Sequence, residues 1–496
     1  MFVRRHTIGF LFLAAACRGA AVTSARPIAA PTASLAALRT SIDSMVDAPQ
    51  FANAHWGILI VDPMRGDTLY SHNAGKLFMP ASNMKILTSS SALTRFGPDY
   101  RYKTTFAARG PVSSGTLRGD LVIIGRGDPS VSDHMLGDAM IPLRAIADSI
   151  VARGVTHISG RIIAGGDAFP GSVFGYGWPL DDFEDSYSAP IDELLFNEGF
   201  SVLHVRGGEH AGDSVSVQVS PARGVPRVRN LARTGESSTV GAARRRARDL
   251  RVRKDSVTWE VVLEGEIAPR DTASIEVTHH NPDTAYVAAF AEALREKGVT
   301  IDETATDTLA HPDTLAVLSS PPLSEILKAL MKPSQNQIAE MLFRTLALDA
   351  TGSGRPDSAS AVVQRQIDEW GVVPSEAVVR DGSGLSRYDY ISPRTVVRIL
   401  DAMRRSKSFQ VYYDALPIAG VDGTIRNRMK GTPAEGNLHA KTGSVALSRS
   451  LSGFVTTANG RMLIFSFLSN NWTVPVREVE RVQDAIGARL AALQLP

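Results

Sequence analysis

A chain of 496 residues is longer than one ordinary hydrophobic core supports, so two or three domains are expected. Its 44% hydrophobic and 21% charged residues are the composition of a globular protein rather than a fibrous or low-complexity one. Lys plus Arg (53) nearly balance Asp plus Glu (51), and a net charge of +2 gives no electrostatic reason to expect a nucleic-acid partner.

The chain opens with Arg4 and Arg5, then a short apolar stretch from Thr7 to Ala16 that ends in small residues. That is the layout of an export signal, too short for a stable bilayer span, and it predicts a periplasmic or cell-envelope protein. Two cleavage points fit. One lies before Cys17, the only cysteine, in Leu13-Ala14-Ala15-Ala16-Cys17, as at a bacterial lipoprotein site where the cysteine would carry lipid. The other follows Ala25 and makes residues 1–25 the signal. Either leaves a body without disulfides, held together by packing.

Pro27 to Ser34 reads as a linker. His55 to Asp62 is a buried-strand pattern, a turn at Pro63 to Asp67 follows, and Thr68 to Tyr70 makes a second strand. Met84 to Phe96 is a predicted helix stopped by Gly97-Pro98. From Asp99 to Leu315 short β-type runs dominate, such as Asp120 to Ile124 and Ser256 to Leu263, with one clear helix from Thr284 to Lys297. Helices return at Leu323 to Met331, Gln335 to Leu348 and Ser392 to Arg404. Arg449 to Thr456 and Arg461 to Leu468 flank an Asn459-Gly460 turn, and Pro475 to Leu493 closes the chain as an amphipathic helix. This order predicts a body of residues 35–98 and 316–496, interrupted by a mostly β insertion at 99–315.

Three short motifs carry chemistry. Ser82-Asn83-Met84-Lys85 opens a helix and sets a hydroxyl and an amine one turn apart on one face. A serine becomes a nucleophile when a base takes its proton. Lysine can be that base if burial and positive neighbours lower its pKa from about 10.4. The helix N-terminus adds positive potential and a free N–H where an oxyanion could sit. Taken alone, Ser82 could equally be a helix cap. Ser334-Gln335-Asn336 starts a helix after a proline stop, and a capping serine is again the plainer reading of that tripeptide by itself. Lys441-Thr442-Gly443-Ser444 enters the C-terminal hairpin, where glycine permits close approach to a strand edge and lysine with hydroxyls suits an anionic group. Their order and local settings agree: 252 residues separate Ser82 from Ser334, and 107 separate Ser334 from Lys441. The set S-x-x-K, S-D-N and K-T-G marks serine acyl-transfer enzymes, and here the middle motif is Ser-Gln-Asn.

With these motifs in place, the chain resembles the class C low-molecular-mass penicillin-binding proteins, D-alanyl-D-alanine carboxypeptidases/endopeptidases with large insertions between the first two motifs. Pro80 to Lys85, Asp381-Gly382-Ser383-Gly384-Leu385-Ser386-Arg387 and Gly420-Val421-Asp422-Gly423-Thr424 look like family signatures, as do Gly177-Trp178-Pro179 with Asp181-Asp182 and Tyr187-Ser188-Ala189-Pro190 inside the insertion. The resemblance implies an α+β transpeptidase fold, an antiparallel sheet flanked by helices. It implies peptidoglycan stem peptides as substrate, β-lactams as inhibitors, and an acyl-enzyme on Ser82 with Lys85 as general base and no metal or organic cofactor. Ser334 would relay the proton to the leaving amine, and Asn336 would bind the substrate carbonyl and Lys85. Lys441, Thr442 and Ser444 would hold the terminal carboxylate. The N–H groups of Ser82 and Ser444 would form an oxyanion hole, worth about 3–4 kcal/mol per donor. Asp182, or Asp181 beside it, would meet the free amine of the stem-peptide diamino acid, and Arg387 would border the cleft; a turn-capping carboxylate is the equal alternative for Asp182. A β-lactamase or esterase of the same superfamily and a non-catalytic penicillin sensor are the competing readings.

Other features are read as structure. The basic run Arg244-Arg245-Arg246-Ala247-Arg248 lacks the interleaved aromatics of a nucleic-acid surface, and His279-His280 lacks partner ligands for a metal. Arg126-Gly127-Asp128 is turn chemistry before Pro129.

Overall fold

The computed structural model describes residues 34–236, 248–254, 260–304 and 312–496. The expected export segment with Cys17, the run from Arg244 to Ala247 and the first residues of the expected 256–263 strand lie outside them.

A five-stranded antiparallel sheet forms the body, in the order Asp67–His72, His55–Asp62, Met462–Asn470, Ser448–Thr456, His439–Val445. The N-terminal strand therefore pairs with the C-terminal hairpin, with Ile60 opposite Phe465. Strand alternation explains why both faces are apolar. Leu59, Phe454, Ile464 and Leu468 point into one core, packed by the helices Met84–Phe96, Leu323–Met331, Asn336–Thr351 and Pro393–Arg404. Ile58, Ile60, Leu451, Phe465 and Phe467 point the other way, under the helices Leu35–Val46 and Val476–Ala492. Phe467 is fully buried against Phe465, ring centroids 4.7 Å apart. Phe467→Ala is expected to cost about 3–5 kcal/mol through lost burial and a residual cavity. A denaturation midpoint equal to that of the parent protein would show this core to be less critical.

Between Phe96 and Leu323 the described residues build two larger cores of their own, beside a small cluster of Phe169, Trp178, Ile191 and Leu195 that packs with Met341 and Leu385 of the body. The sheet Asp313–Ser319, Lys103–Arg109, Asp120–Ile124, Ile162–Ala164 carries two helices, Met140–Ala152 and Pro282–Glu296. The strands Phe200–Arg206, Thr272–Thr278 and Val261–Ile267 enclose a smaller β core around Leu203 and Leu263. Met140–Ala152 is a helix the β-rich reading passes over. Its Ile141, Ile146 and Ile150 look strand-like, but Leu143, Ile146, Ala147 and Ile150 are buried at helical spacing, and Pro142 falls in the first turn, where it is tolerated. The expected 256–263 strand is observed from Val261 and runs on to Ile267. Asp313–Ser319 runs across the expected 315/316 boundary and pairs with Lys103–Arg109. His279 is buried with Nε2 2.9 Å from Ser201 Oγ.

Candidate active site

Ser82 sits in the one-turn 3-10 segment Ala81–Asn83 that runs into Met84–Phe96. That helix is buried through Leu93, which its small Ser and Thr residues permit by letting neighbours approach. Lys85 follows one turn after Ser82 and is wholly buried. Its Nζ lies 2.9 Å from Ser82 Oγ, 2.6 Å from Asn336 Oδ1 and 2.8 Å from the Ser383 carbonyl. Burial draws the amine down to about 7, against the opposing pull of Asp381 and Glu340. A neutral amine has two N–H bonds and one lone pair. With Asn336 and Ser383 offering only acceptors, the lone pair is left facing the Ser82 hydroxyl.

Ser334 is not the helix cap. Gln335 caps Asn336–Thr351 through its side-chain oxygen on Ile338 N–H, and Ser334 stands outside the helix at φ 71°. A left-handed serine is uncommon, and such conformations cluster at functional sites. The consequence is that Ser334 Oγ turns toward the cleft and accepts from Lys441 Nζ at 2.7 Å. Two residues on, Asn336 donates its amide to the Tyr187 carbonyl at 2.7 Å, and that contact sets which end of the amide faces Lys85.

The third motif lies on the outer strand His439–Val445, whose outer edge is met at Ala440, its N–H donating to the Pro417 carbonyl at 2.9 Å. Gly443 is needed for close approach: a Cβ there would stand 2.1 Å from Ser450 Oγ, 2.4 Å from the Pro80 carbonyl and 3.0 Å from Ser82 N. Asn83 and Ser450 tie strand to helix, Asn83 Nδ2 donating to the Lys441 carbonyl at 3.0 Å and Ser450 Oγ to the Pro80 carbonyl at 2.8 Å. Lys441 is fully buried, and burial, then Lys85, hold its amine well below the usual lysine range. Thr442 Oγ1 meets Thr424 Oγ1 at 2.7 Å.

These residues line one cleft of about 440 Å³: Ser82, Ser334, Asn336, Thr442, Gly443 and Ser444, with Lys85 and Lys441 in its wall. Asp182 and Tyr187 enter from the insertion and Arg387 borders the rim, its guanidinium donating to the Ala446 carbonyl at 3.1 Å. Asp182 lines the cleft and Asp181 does not. Burial, then hydrogen bonds to Asp185 and Asp182, raise the pKa of the Tyr187 hydroxyl.

Some of this was not readable from motifs. The Ser383 carbonyl holds Lys85, and it is fixed by Glu340, whose Oε1 accepts the N–H groups of Gly382 (3.0 Å) and Ser383 (2.8 Å). Glu340 lies four residues after Asn336, on the same helix face, and burial, then Asp381, push its carboxyl up to about 8. Asp381 accepts from Gly384 N and Ser386 N at 2.7 Å each and from Trp178 Nε1 at 3.0 Å, so the insertion docks on the loop behind the lysine. The Asp-Gly-Ser-Gly run was the available signal; the helical offset of Glu340 gave none.

The D-Ala-D-Ala carboxypeptidase 3 (S13) family model matches residues 38–493. A D-alanyl-D-alanine carboxypeptidase of Actinomadura sp. (strain R39) is 32% identical over 92% of this chain and 85% of its own length. The D-alanyl-D-alanine carboxypeptidase DacB of Haemophilus influenzae is 24% identical over 84% of this chain and 85% of its own. The crystal structure of penicillin binding protein 4 (dacB) from Haemophilus influenzae superposes with a TM-score of 0.75 at 22% identity, covering 91% of this chain and 99% of that one, which is a likeness of fold. With that match running nearly from end to end, the chain belongs to the D-Ala-D-Ala carboxypeptidase 3 (S13) family and is a peptidase.

Proposed function

We propose that Ser82 is the nucleophile of this carboxypeptidase and Lys85 its general base, acting on peptidoglycan stem peptides that end in D-Ala-D-Ala. The observation that carries the proposal is the Lys85 amine, buried, drawn down to about 7 and 2.9 Å from Ser82 Oγ. Lys85 takes the Ser82 proton as Oγ attacks the carbonyl carbon of the penultimate residue. The charge that develops on the substrate oxygen meets backbone N–H groups at Ser82 and Ser444. The C–N bond breaks, and the proton returns through Ser334 to the departing amine, leaving an ester on Ser82. Water, deprotonated by the same amine, hydrolyses that ester and restores the serine.

The remaining residues fix the substrate. Its terminal carboxylate lies against Thr442, Ser444 and Lys441. A carboxylate beside Lys441 favours its ammonium form. Asn336 binds the peptide carbonyl while holding Lys85. Asp182 meets the ammonium of the diamino acid, with Arg387 on the facing rim. A β-lactam acylates Ser82 by the same attack, in keeping with the penicillin binding named in the structural relative. Cross-linked stems present the same bond with a larger leaving amine, so endopeptidase cleavage belongs to the proposal. An N-terminal signal exports the chain to the periplasm or cell envelope, where its substrate lies; cleavage after Ala25 frees the body, whereas cleavage before Cys17 leaves a cysteine whose lipid would hold it at a membrane.

The test is mass spectrometry of stem peptides and cross-linked muropeptides after incubation with the protein, beside a chromogenic cephalosporin. Release of terminal D-Ala is expected. Rapid cephalosporin turnover with intact peptides would make the protein a β-lactamase, and a stable penicillin adduct with no peptide cleavage would make it a sensor.

A further inference from the structure

The middle motif carries a glutamine, and both ends of its side chain are engaged. Gln335 Oε1 accepts the Ile338 N–H at 2.8 Å, while Nε2 donates to Glu198 Oε2 at 2.9 Å and to Gln337 Oε1 at 2.7 Å. Glu198 comes from the insertion and is 6% exposed; its other oxygen meets His134 Nδ1 at 2.8 Å. It is held in a costly backbone geometry, with φ 57° at Glu198 and 48° at Asn197. Asn197 is pinned in turn, accepting the Asp133 N–H on its side chain at 2.9 Å and donating its own N–H to the Val131 carbonyl at 2.8 Å. The same stretch of insertion offers the Tyr187 carbonyl to Asn336 and the Ser186 carbonyl to Gln337 at 3.0 Å. Three successive residues, 335 to 337, are thus bonded by one segment more than 130 residues upstream.

We propose that Glu198 is a positioning residue for catalysis: through Gln335 it holds Ser334 in its left-handed conformation, with Oγ on Lys441 and aimed into the cleft. Ser334 does not cap the helix and so does not fix its own backbone. The peptide between Ser334 and Gln335 donates its N–H to the Leu330 carbonyl at 2.9 Å, and the clamp on the Gln335 side chain holds it from the other side. Asn336, one residue further, takes its amide orientation from the same segment. The insertion is in this sense part of the catalytic apparatus. The inference rests on the roles proposed above for Ser334 and Asn336.

The experiment uses the full chain and reads the acylation rate by fluorescent penicillin per titrated site, so that loss of folded protein lowers the titre and not the rate. Gln335→Glu keeps the helix-capping oxygen but sets a carboxylate against Glu198; its rate should fall about tenfold or more, as misplacing a reacting group by a fraction of an ångström does. Adding Glu198→Gln restores a donor opposite an acceptor at that contact, leaving the Gln337 Oε1 contact unmade, and the pair should acylate about threefold or more faster than Gln335→Glu alone, a coupling that two independent structural defects would not produce. Glu198→Ala alone should acylate about tenfold more slowly. Parental rates per site in Gln335→Glu, or a double variant no faster than Gln335→Glu, would overturn the proposal. Should Glu198→Ala fail to fold, the reciprocal pair still decides. A parental rate in Ser334→Ala would instead overturn the role of Ser334, a result separate from any on Glu198.

Discussion

Ser82→Ala is expected to take up no covalent label from fluorescent penicillin while keeping the parental denaturation midpoint, and Lys85→Ala to acylate about 10²- to 10⁴-fold more slowly. The two differ in kind. Without Oγ there is no atom to acylate, whereas without the amine the hydroxyl remains but must lose its proton unaided. The pH dependence separates the base from a merely structural lysine. Burial holds Lys85 down to about 7, so below that pH the amine carries a proton and its lone pair is lost. The acylation rate per site should therefore rise about tenfold per pH unit up to about 7 and level off above it. The acid-side slope should vanish in Lys85→Ala. Covalent labelling that persists in Ser82→Ala, or a parental rate flat across that range, would remove this dyad from the mechanism.

Gly443→Ala is the second large effect. The glycine stands where the edge strand touches the segment leading into the helix Met84–Phe96, and two of the three atoms its Cβ would meet belong to backbone, the Pro80 carbonyl at 2.4 Å and Ser82 N at 3.0 Å. Backbone cannot rotate away, so the strand must retreat by something near an ångström. That displacement moves Thr442 and Ser444 away from Ser82 and is expected to lower the β-lactam acylation rate about 10²-fold. The strand is otherwise well tied, through Asn83 to the Lys441 carbonyl and through its register with Ser448–Thr456, so a folded protein is expected. A folded Gly443→Ala variant acylating within about threefold of the parent would show that strand and helix need not touch.

How far the sequence could be read varied with the range of the interaction. The helix Met84–Phe96 ends where Gly97 allows φ 76°, and Leu323–Met331 ends before Lys332-Pro333, because caps and breakers act over a few residues. The hairpin of Ser448–Thr456 and Met462–Asn470 was equally legible from alternation and the turn at Gly460. Met140–Ala152 was obscured because β-branched residues at helical spacing also satisfy a strand pattern over a short window. Ser334 was ambiguous for the same local reason: a serine before a helix looks like a cap, and only the competing side chain of Gln335 decides otherwise.

The sequence by itself determined the kinds of atoms available and their order: a hydroxyl and an amine one helical turn apart, a Ser-x-Asn after a proline, and a lysine with glycine on a strand. Tertiary structure alone decided what each atom faces. Lys85 meets Asn336 251 residues away and the Ser383 carbonyl 298 residues away, and Asn336 is oriented by a carbonyl 149 residues before it. Such contacts exist only once the sheet has closed between the N-terminal strand and the C-terminal hairpin and the insertion has docked. Burial, and with it the lowered affinity of Lys85 for its proton, arises in that same closure, since a pKa depends on the finished surroundings and not on neighbours in the chain.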